Sequence, residues 1–256
     1  MPEGDTIFRA ATALRKALQG ARVLQMRSSM LAGPYPVGER ILSVEARGKN
    51  LVLRFENGRV LRTHMMMSGS WHLYRDGEKW QRPAWQARLE LRADNGFCAV
   101  LFNAPVVEWL DAREAPLARL GPDATSDGFD AAAAFSRLRA RPDRAVGEVL
   151  LDQAALSGVG NVIKCEALFR CRANPFAKVS DVPDDELEKL IADARKLLVQ
   201  NREKGPRTTR TSLDGGRFWV YGRSGKPCLI CGTAIRMRRQ GEAARSTYFC
   251  ASCQKV

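Results

Sequence analysis

Two groups of residues have types and spacings that could do chemistry. Near the end of the chain stand Cys228-Leu229-Ile230-Cys231 and, after 18 intervening residues, Cys250-Ala251-Ser252-Cys253. Two C-x-x-C pairs at this separation have the pattern of a zinc ribbon: each pair takes the metal from one tight turn, and the intervening stretch suits a β-hairpin. Four thiolates complete a tetrahedral shell and leave no position for substrate, so Zn2+ held by Cys228, Cys231, Cys250 and Cys253 is structural. The alternative is a pair of redox-active dithiols. At the start stand Pro2 and Glu3. Once Met1 is removed, Pro2 offers a free secondary amine with a carboxylate one residue away, the material of a nucleophile and its acid. Proline at position 2 is also common in chains that make no use of it.

Three further stretches carry weaker signals. Leu156-Ser157-Gly158-Val159-Gly160-Asn161 is a Gly-rich connection in which Asn161 opens a helix, a place that can hold a phosphate or be no more than a turn. Lys49 enters a strand in Gly48-Lys49-Asn50, where a lysine is normally solvated. Thr63-His64-Met65-Met66-Met67-Ser68-Gly69 reads either as core or as flexible apolar side chains on a turn, able to enter the gap left by an unstacked base. The stretch between the cysteine pairs contains Arg236, Arg238, Arg239 and Arg245, and guanidinium groups on a small hairpin suit phosphates.

These residues need elements to position them. Ile7, Ala10, Ala11, Leu14 and Leu18 recur at helical spacing, which predicts a helix over 5–18. Runs rich in β-formers follow at 22–27, 40–46, 50–56, 59–64, 69–74, 86–92, 97–102 and 106–110, with Asn57-Gly58 and Asn95-Gly96 as hairpin turns. This pattern predicts an antiparallel sandwich or barrel. After a linker over 121–128 the chain turns helical, at 130–140, 144–155, 161–171 and 183–201, and 202–227 reads as loop. The fold class expected is α+β: an N-terminal β-sandwich domain (1–124) with flanking helices, a helical domain (125–219) and a C-terminal β-hairpin zinc finger (220–256).

The chain of 256 residues holds 41 Lys and Arg against 28 Asp and Glu, a net charge of +13. Residues 201–256 contribute twelve basic residues and three acids, and so carry +9 of that excess. The partner this points to is a polyanion, nucleic acid first; a solvated basic face is the plainer reading. No apolar run is long enough to span a membrane, and Asp5, Arg9 and Arg15 interrupt any signal region, so a cytoplasmic protein with no membrane partner is expected. Seven cysteines, four of them in the last 30 residues, do not make a disulfide framework, and Cys98, Cys165 and Cys171 read as ordinary thiols.

Taken in order, the motifs resemble those of the formamidopyrimidine-DNA glycosylase/endonuclease VIII family of base-excision repair enzymes. The resemblance runs through PEG at 2–4, RGK at 47–49, HMMMSG at 64–69, SGVGN at 157–161, EALF at 166–169, VYGRSGKPC at 220–228 and RSTYFCASCQ at 245–254. It implies a β-sandwich, a helix–two-turn–helix domain and a zinc finger. It also implies Pro2 as nucleophile, Glu3 as catalytic acid, and Lys49 as the strand lysine near the lesion phosphate. Asn161 and Arg245 would be ligands of the same backbone, and Met67 the residue that fills the gap after base eversion. The partner implied is double-stranded DNA containing damaged bases or abasic sites, met by a monomer at the bacterial nucleoid, with one Zn2+ per chain.

Such chemistry needs an amine. Cleaving a base from deoxyribose requires attack at C1′ and an electron sink, and an amine provides both, because its attack leads to an iminium that then accepts electrons. A terminal α-amine has a reference pKa of about 7.7–8.0 against about 10.4 for lysine, so far more of it is free base at neutral pH. Glu3 must spend part of its time protonated, and an apolar or anion-rich setting is expected around it.

Two departures place the chain on the endonuclease VIII-like side of the family. Phe102-Asn103-Ala104-Pro105-Val106-Val107-Glu108 lacks the Arg-Phe pair of the formamidopyrimidine branch, and the stretch before Val220 is short. Oxidised pyrimidines are therefore expected before 8-oxoguanine, with Met66 and Ser68 as helpers to Met67. Thr6 stands where the family often has a carboxylate. Three other readings compete: an 8-oxoguanine/formamidopyrimidine glycosylase, a DNA-binding zinc protein without catalysis, and an enzyme that uses its terminal proline as a base.

Overall fold

Helix α1 (Gly4–Leu18) begins two residues after Pro2 and turns Ile7, Ala11, Leu14 and Leu18 inward. The computed structural model that places it describes residues 2–111, 113–203, 205–212, 214 and 216–256. Its contacts divide the chain into two compact units, with the division between Arg119 and Leu120.

In the first unit eight strands follow α1: β1 (Val23–Ser28), β2 (Ile41–Arg47), β3 (Asn50–Phe55), β4 (Val60–His64), β5 (Ser70–Arg75), β6 (Ala87–Ala93), β7 (Phe97–Phe102) and β8 (Val106–Leu110). Each lies within one residue of its sequence-predicted bounds. They form two antiparallel four-stranded sheets, ordered β2-β3-β4-β8 and β1-β6-β7-β5. One apolar core joins both sheets to α1, through Val44, Leu51, Leu53, Phe55, Leu61, Leu89, Leu91 and Leu101. Strand β7 shows why an apolar run need not alternate. Ala99 and Leu101 face this core, while Cys98, Val100 and Phe102 face a second cluster with Tyr74, covered by Trp80. The Asn-Gly turns form as predicted, with φ of +82° at Gly58 and +79° at Gly96, values that glycine adopts without penalty. A short helix α2 (Ala115–Ala118) ends the unit.

The second unit holds α3 (Ala131–Arg139), α4 (Val146–Val149), α5 (Asn161–Arg170), α6 (Asp184–Gln200) and the hairpin β9 (Arg236–Gln240) and β10 (Arg245–Phe249). Asp130 caps α3, its side chain accepting from the Ala133 amide at 2.8 Å. Asp184, Asp185 and Glu186 occupy the first turn of α6, where carboxylates favour the positive helix end. Leu187, Leu190, Ile191, Ala194, Leu197 and Leu198 face the helical core. The helix expected over 144–155 is the exception, because only Val146–Val149 is α-helical. Asp152 stops it: its Oδ1 accepts from the Ala154 amide at 2.9 Å, a local bond that competes with the helical pattern, while Arg141 holds its Oδ2 at 2.8 Å. Among the described residues, 202–227 forms neither helix nor strand. The α+β architecture read from the sequence is the one observed.

Candidate functional site

In the first unit the start of α1 is built around buried acids. Glu3 is the N-cap residue, with extended backbone, and its carbonyl accepts from Thr6 and Ile7 at 2.9 and 3.1 Å. Both Glu3 and Asp5 are fully shut off from solvent, and Pro2 beside them is half-buried. Asp5 Oδ1 accepts from the Thr6 amide at 2.7 Å and from its hydroxyl at 3.3 Å. Two carboxylates therefore sit at the amide-rich end of one helix, and the carboxylate missing at position 6 has a neighbour at position 5. Met1, whose removal is expected from the sequence, lies outside the described residues.

Helix α1 packs on β2 and β3, the strands joined by the Gly48-Lys49 turn. Gly48 has φ +59°, which lets two residues close the hairpin. Asn50 braces the turn: its Nδ2 donates to the Arg47 carbonyl at 3.0 Å, and its Oδ1 accepts from Arg62 Nε at 2.8 Å. Across the strand pair, Asn50 is in register with His64.

His64 links Lys49 to the methionine turn. Burial, with the charges of Arg62 and Lys49 adding to it, pushes the imidazole down to about 4, so the ring is neutral near pH 7. Its Nδ1 accepts from the Met66 amide at 3.1 Å. The turn closes with the Gly69 amide on the Met65 carbonyl at 2.8 Å, so tightly that a Cβ on Gly69 would lie 2.6 Å from that oxygen. The three methionines part company: Met65 is buried in the core, whereas Met66 is 50% and Met67 69% exposed. Met66 stands at φ +49° at the tip.

In the second unit Asn161 is the first residue of α5 and is 7% exposed. Its Nδ2 donates to the Ser246 carbonyl at 2.7 Å, and its Oδ1 is buried with no hydrogen-bond partner. Ser246 follows Arg245, the exposed first residue of β10. The fold thus brings together Asn161 and the strand of Arg245, which lie far apart in the chain. Arg236, Arg238 and Arg239 are exposed along β9, with the Arg238 guanidinium 4.7 Å above the Phe176 ring. The loop before α5 turns through Gly158 at φ +94°, with Ser157 Oγ on the Gly121 carbonyl at 3.0 Å.

The Sγ atoms of Cys228, Cys231, Cys250 and Cys253 all lie within 4.8 Å of one another. The short contacts run between the two pairs: Cys228 to Cys253 at 3.9 Å, Cys231 to Cys250 at 3.5 Å and Cys231 to Cys253 at 3.4 Å. A tetrahedron with Zn–S bonds of about 2.3 Å has S···S edges of about 3.8 Å. The four sulfurs therefore fit one metal ion, and they do not separate into the two dithiols of the alternative reading. The remaining thiols take no part: Cys98 and Cys165 are buried, and burial pushes Cys98 and Cys171 up to about 11.

Sequence reasoning missed two buried polar posts on α5 that hold the segments after it. Glu166, fully buried on α5, accepts from the amides of Trp219, Val220 and Tyr221 at 2.8–2.9 Å and from the Thr209 hydroxyl. Lys164, also fully buried, donates from Nζ to Thr247 Oγ1 at 2.7 Å; that hydroxyl donates to Gln240 Oε1 at 2.8 Å, and Gln240 Nε2 donates to the Pro175 carbonyl at 2.8 Å. The signal was there: two charged residues within Asn161-Val162-Ile163-Lys164-Cys165-Glu166-Ala167-Leu168-Phe169, a stretch too apolar for a surface helix.

Three family models match successive parts of the chain. Residues 1–113 match the formamidopyrimidine-DNA glycosylase N-terminal domain, 120–212 the formamidopyrimidine-DNA glycosylase H2TH domain, and 225–256 the zinc finger found in FPG and IleRS. The chain is 42% identical to probable endonuclease 8 2 of Streptomyces coelicolor, covering 99% of this chain and 94% of that protein. It is 36% identical to the DNA-(apurinic or apyrimidinic site) lyase Nei2 of Mycolicibacterium smegmatis, covering 99% of each. Among solved structures it is similar to the MutM (Fpg) protein of Thermus thermophilus, with TM-score 0.81, 30% identity and 99% of each chain covered.

Proposed function

The chain belongs to the formamidopyrimidine-DNA glycosylase family of DNA glycosylases and abasic-site lyases, and on that premise we propose how its residues divide the work and which bases they release. The first unit carries the chemistry. The Pro2 nitrogen, free once Met1 is gone, gives its lone pair to C1′ of a damaged nucleotide, and the glycosidic bond breaks with its electron pair leaving on the base. Glu3 delivers the proton that opens the sugar at its ring oxygen, leaving an iminium between Pro2 and C1′. Loss of a C2′ proton then sends electrons toward the iminium and expels the 3′ phosphate by β-elimination; a second, δ-elimination releases the 5′ phosphate. Lys49 holds the lesion phosphate, and Met67 fills the gap left by the everted nucleotide, an eversion that costs a few kcal/mol.

The second unit grips the same backbone through Asn161 and Arg245, which read phosphates and not sequence. Zn2+, one per chain, is held by Cys228, Cys231, Cys250 and Cys253; it supplies no chemistry at the lesion and fixes the hairpin that presents Arg245. The chain works as a monomer in the cytoplasm, at the nucleoid. The substrates are oxidised bases, pyrimidines before 8-oxoguanine, on duplex DNA. The absence of an Arg-Phe pair from 102–108 and the short stretch before Val220 support that order.

The observation that carries the catalytic reading is the position of Glu3. A carboxylate fully withdrawn from water, one residue from the proline nitrogen, supports a role in catalysis beyond DNA binding alone. Borohydride reduction during incubation with duplexes containing thymine glycol, 8-oxoguanine or an abasic site tests it. The expected result is a covalent protein–DNA adduct on each duplex, with faster base release from thymine glycol. A chain carrying one extra residue before Pro2 should bind the same duplexes and form no adduct. Tight binding by the natural chain without any adduct would establish the non-catalytic reading instead.

A further inference from the structure

Three strand ends of the β1-β6-β7-β5 sheet meet at one edge. Ser70 of β5 pairs with Phe102 of β7, and Ala87 of β6 pairs with Phe102 from the other side. The segments just outside them therefore lie side by side: the 65–69 turn before β5, Asn103 after β7, and a 3-10 turn over Ala84–Gln86 before β6. Asn103 ties the three together. Its carbonyl accepts from Ser68 Oγ at 3.1 Å, its amide donates to the Gln86 carbonyl at 2.9 Å, and its Nδ2 donates to Gln86 Oε1 at 3.0 Å. It does so at φ +51°, in the left-handed region where asparagine is one of the few tolerated side chains.

This bridge ties the turn that carries Trp85 to the methionine turn. Trp85 is 75% exposed, and on the linked methionine turn Met66 is 50% and Met67 69% exposed. Three large apolar side chains exposed on two linked turns exceed the scattered single exposures that need no explanation. The segment behind Trp85 is held firmly. Trp80 stacks on Tyr74 at 6.4 Å and meets Phe102 edge-on at 5.7 Å, and the Gln81 amide donates to Tyr74 Oη at 3.0 Å. Residues 79–88 contain Lys79, Arg82 and Arg88 and no acid. A rigidly presented indole amid positive charge has the composition of a stacking platform for a nucleobase on a phosphate backbone.

We infer that Trp85 is a second apolar contact of the DNA site: it stacks on the base left unpaired opposite the everted nucleotide, while Met67 occupies the gap itself. The inference rests on the glycosylase reading above. It assigns to Trp85 the recognition of the opposite strand, a task for which 102–108 offers no aromatic side chain beyond the buried Phe102.

The test uses the full chain, its W85A and W85F variants, and duplexes with or without a tetrahydrofuran abasic-site analogue placed opposite 2-aminopurine. Stacking on aromatic side chains sets the expected loss for W85A on the lesion duplex at about 5- to 150-fold, with undamaged duplex bound as before. The natural chain and W85F should quench the 2-aminopurine fluorescence, and W85A should not. Because Trp85 is largely exposed, W85A keeps the fold, which thermal melting checks. Undiminished lesion affinity in W85A, equal loss on both duplexes, or a W85F defect as large as that of W85A would each overturn the assignment. Borohydride adducts formed by the natural chain separate the two readings. Adducts with an indifferent W85A sink the Trp85 role alone, and no adduct and no lesion preference in the natural chain sink both.

Discussion

Asn161 donates from Nδ2 to the carbonyl oxygen of Ser246 at 2.7 Å, so the first residue of α5 is fastened to the strand that Arg245 begins. The amide of Asn161 is thereby oriented before any ligand arrives, with its Oδ1 left buried and unsatisfied. An unsatisfied buried acceptor costs about 1–3 kcal/mol, a cost tolerated where a position serves a purpose other than stability.

Arg245→Ala and Asn161→Ala should therefore behave differently. Removing the exposed Arg245 should weaken binding to every duplex, lower the dependence of log K on log salt by about 0.9, and leave the melting temperature unchanged. Asn161→Ala should weaken binding and also lower stability, by about 1 kcal/mol for the lost bond to Ser246. Salt titrations of binding, with thermal melts of both variants, check this; an unchanged salt slope in Arg245→Ala removes that residue from the phosphate contacts.

Metal removal should act on the second unit alone. A chain stripped by a chelator, or carrying Cys231→Ser, should lose order in the hairpin and bind duplex weakly, because the metal supplies folding free energy to a small element with little core of its own. Metal analysis of the purified protein should give one zinc per chain. Duplex binding that survives complete metal loss would dissociate the hairpin from DNA recognition.

Glu166→Gln should destabilise the protein by about 1–3 kcal/mol, since it replaces a fully buried carboxyl that accepts from three backbone amides by an amide whose added donors have no place to go. Glu166→Ala should cost more, leaving those amides with no acceptor. Denaturant midpoints for the two variants give the order; equal midpoints for both and the natural chain would show the amides satisfied by other means.

The depressed pKa of His64 predicts a stability change with a definite sign. Below the ordinary imidazole value of 6.5 the unfolded chain takes up a proton that the folded chain refuses until about 4. The contribution of the neutral ring is fully present above pH 6.5 and is lost as pH falls toward 4. His64→Asn keeps an acceptor for the Met66 amide but does not titrate. Its denaturant midpoint should fall less than that of the natural chain between about pH 7.5 and about pH 4.5. Parallel falls would place the pH dependence elsewhere.

The sequence yielded what depends on neighbours in the chain. Runs rich in β-formers and Asn-Gly turns located every strand of the first unit, and the two C-x-x-C pairs announced a cluster whose sulfurs do converge. What it withheld depends on partners remote in the chain. Asp152 ends a predicted helix through a side-chain bond that propensity does not weigh. Met65, Met66 and Met67 are one residue type in a row, yet a single left-handed residue decides which is core and which is tip. Glu166 and Lys164 looked out of place on an apolar helix because what they hold arrives more than 40 residues later.

The Lys164–Thr247–Gln240–Pro175 chain bears on how such a protein can be recombined. The cysteine-rich tail looks portable, a short cassette with its own metal. Its underside, however, is wired into α5 through the fully buried Lys164, and grafting 220–256 onto another scaffold would leave that lysine behind and part Thr247 from its donor. Any successful graft must carry α5 with the tail, so the two are inherited as a single cartridge.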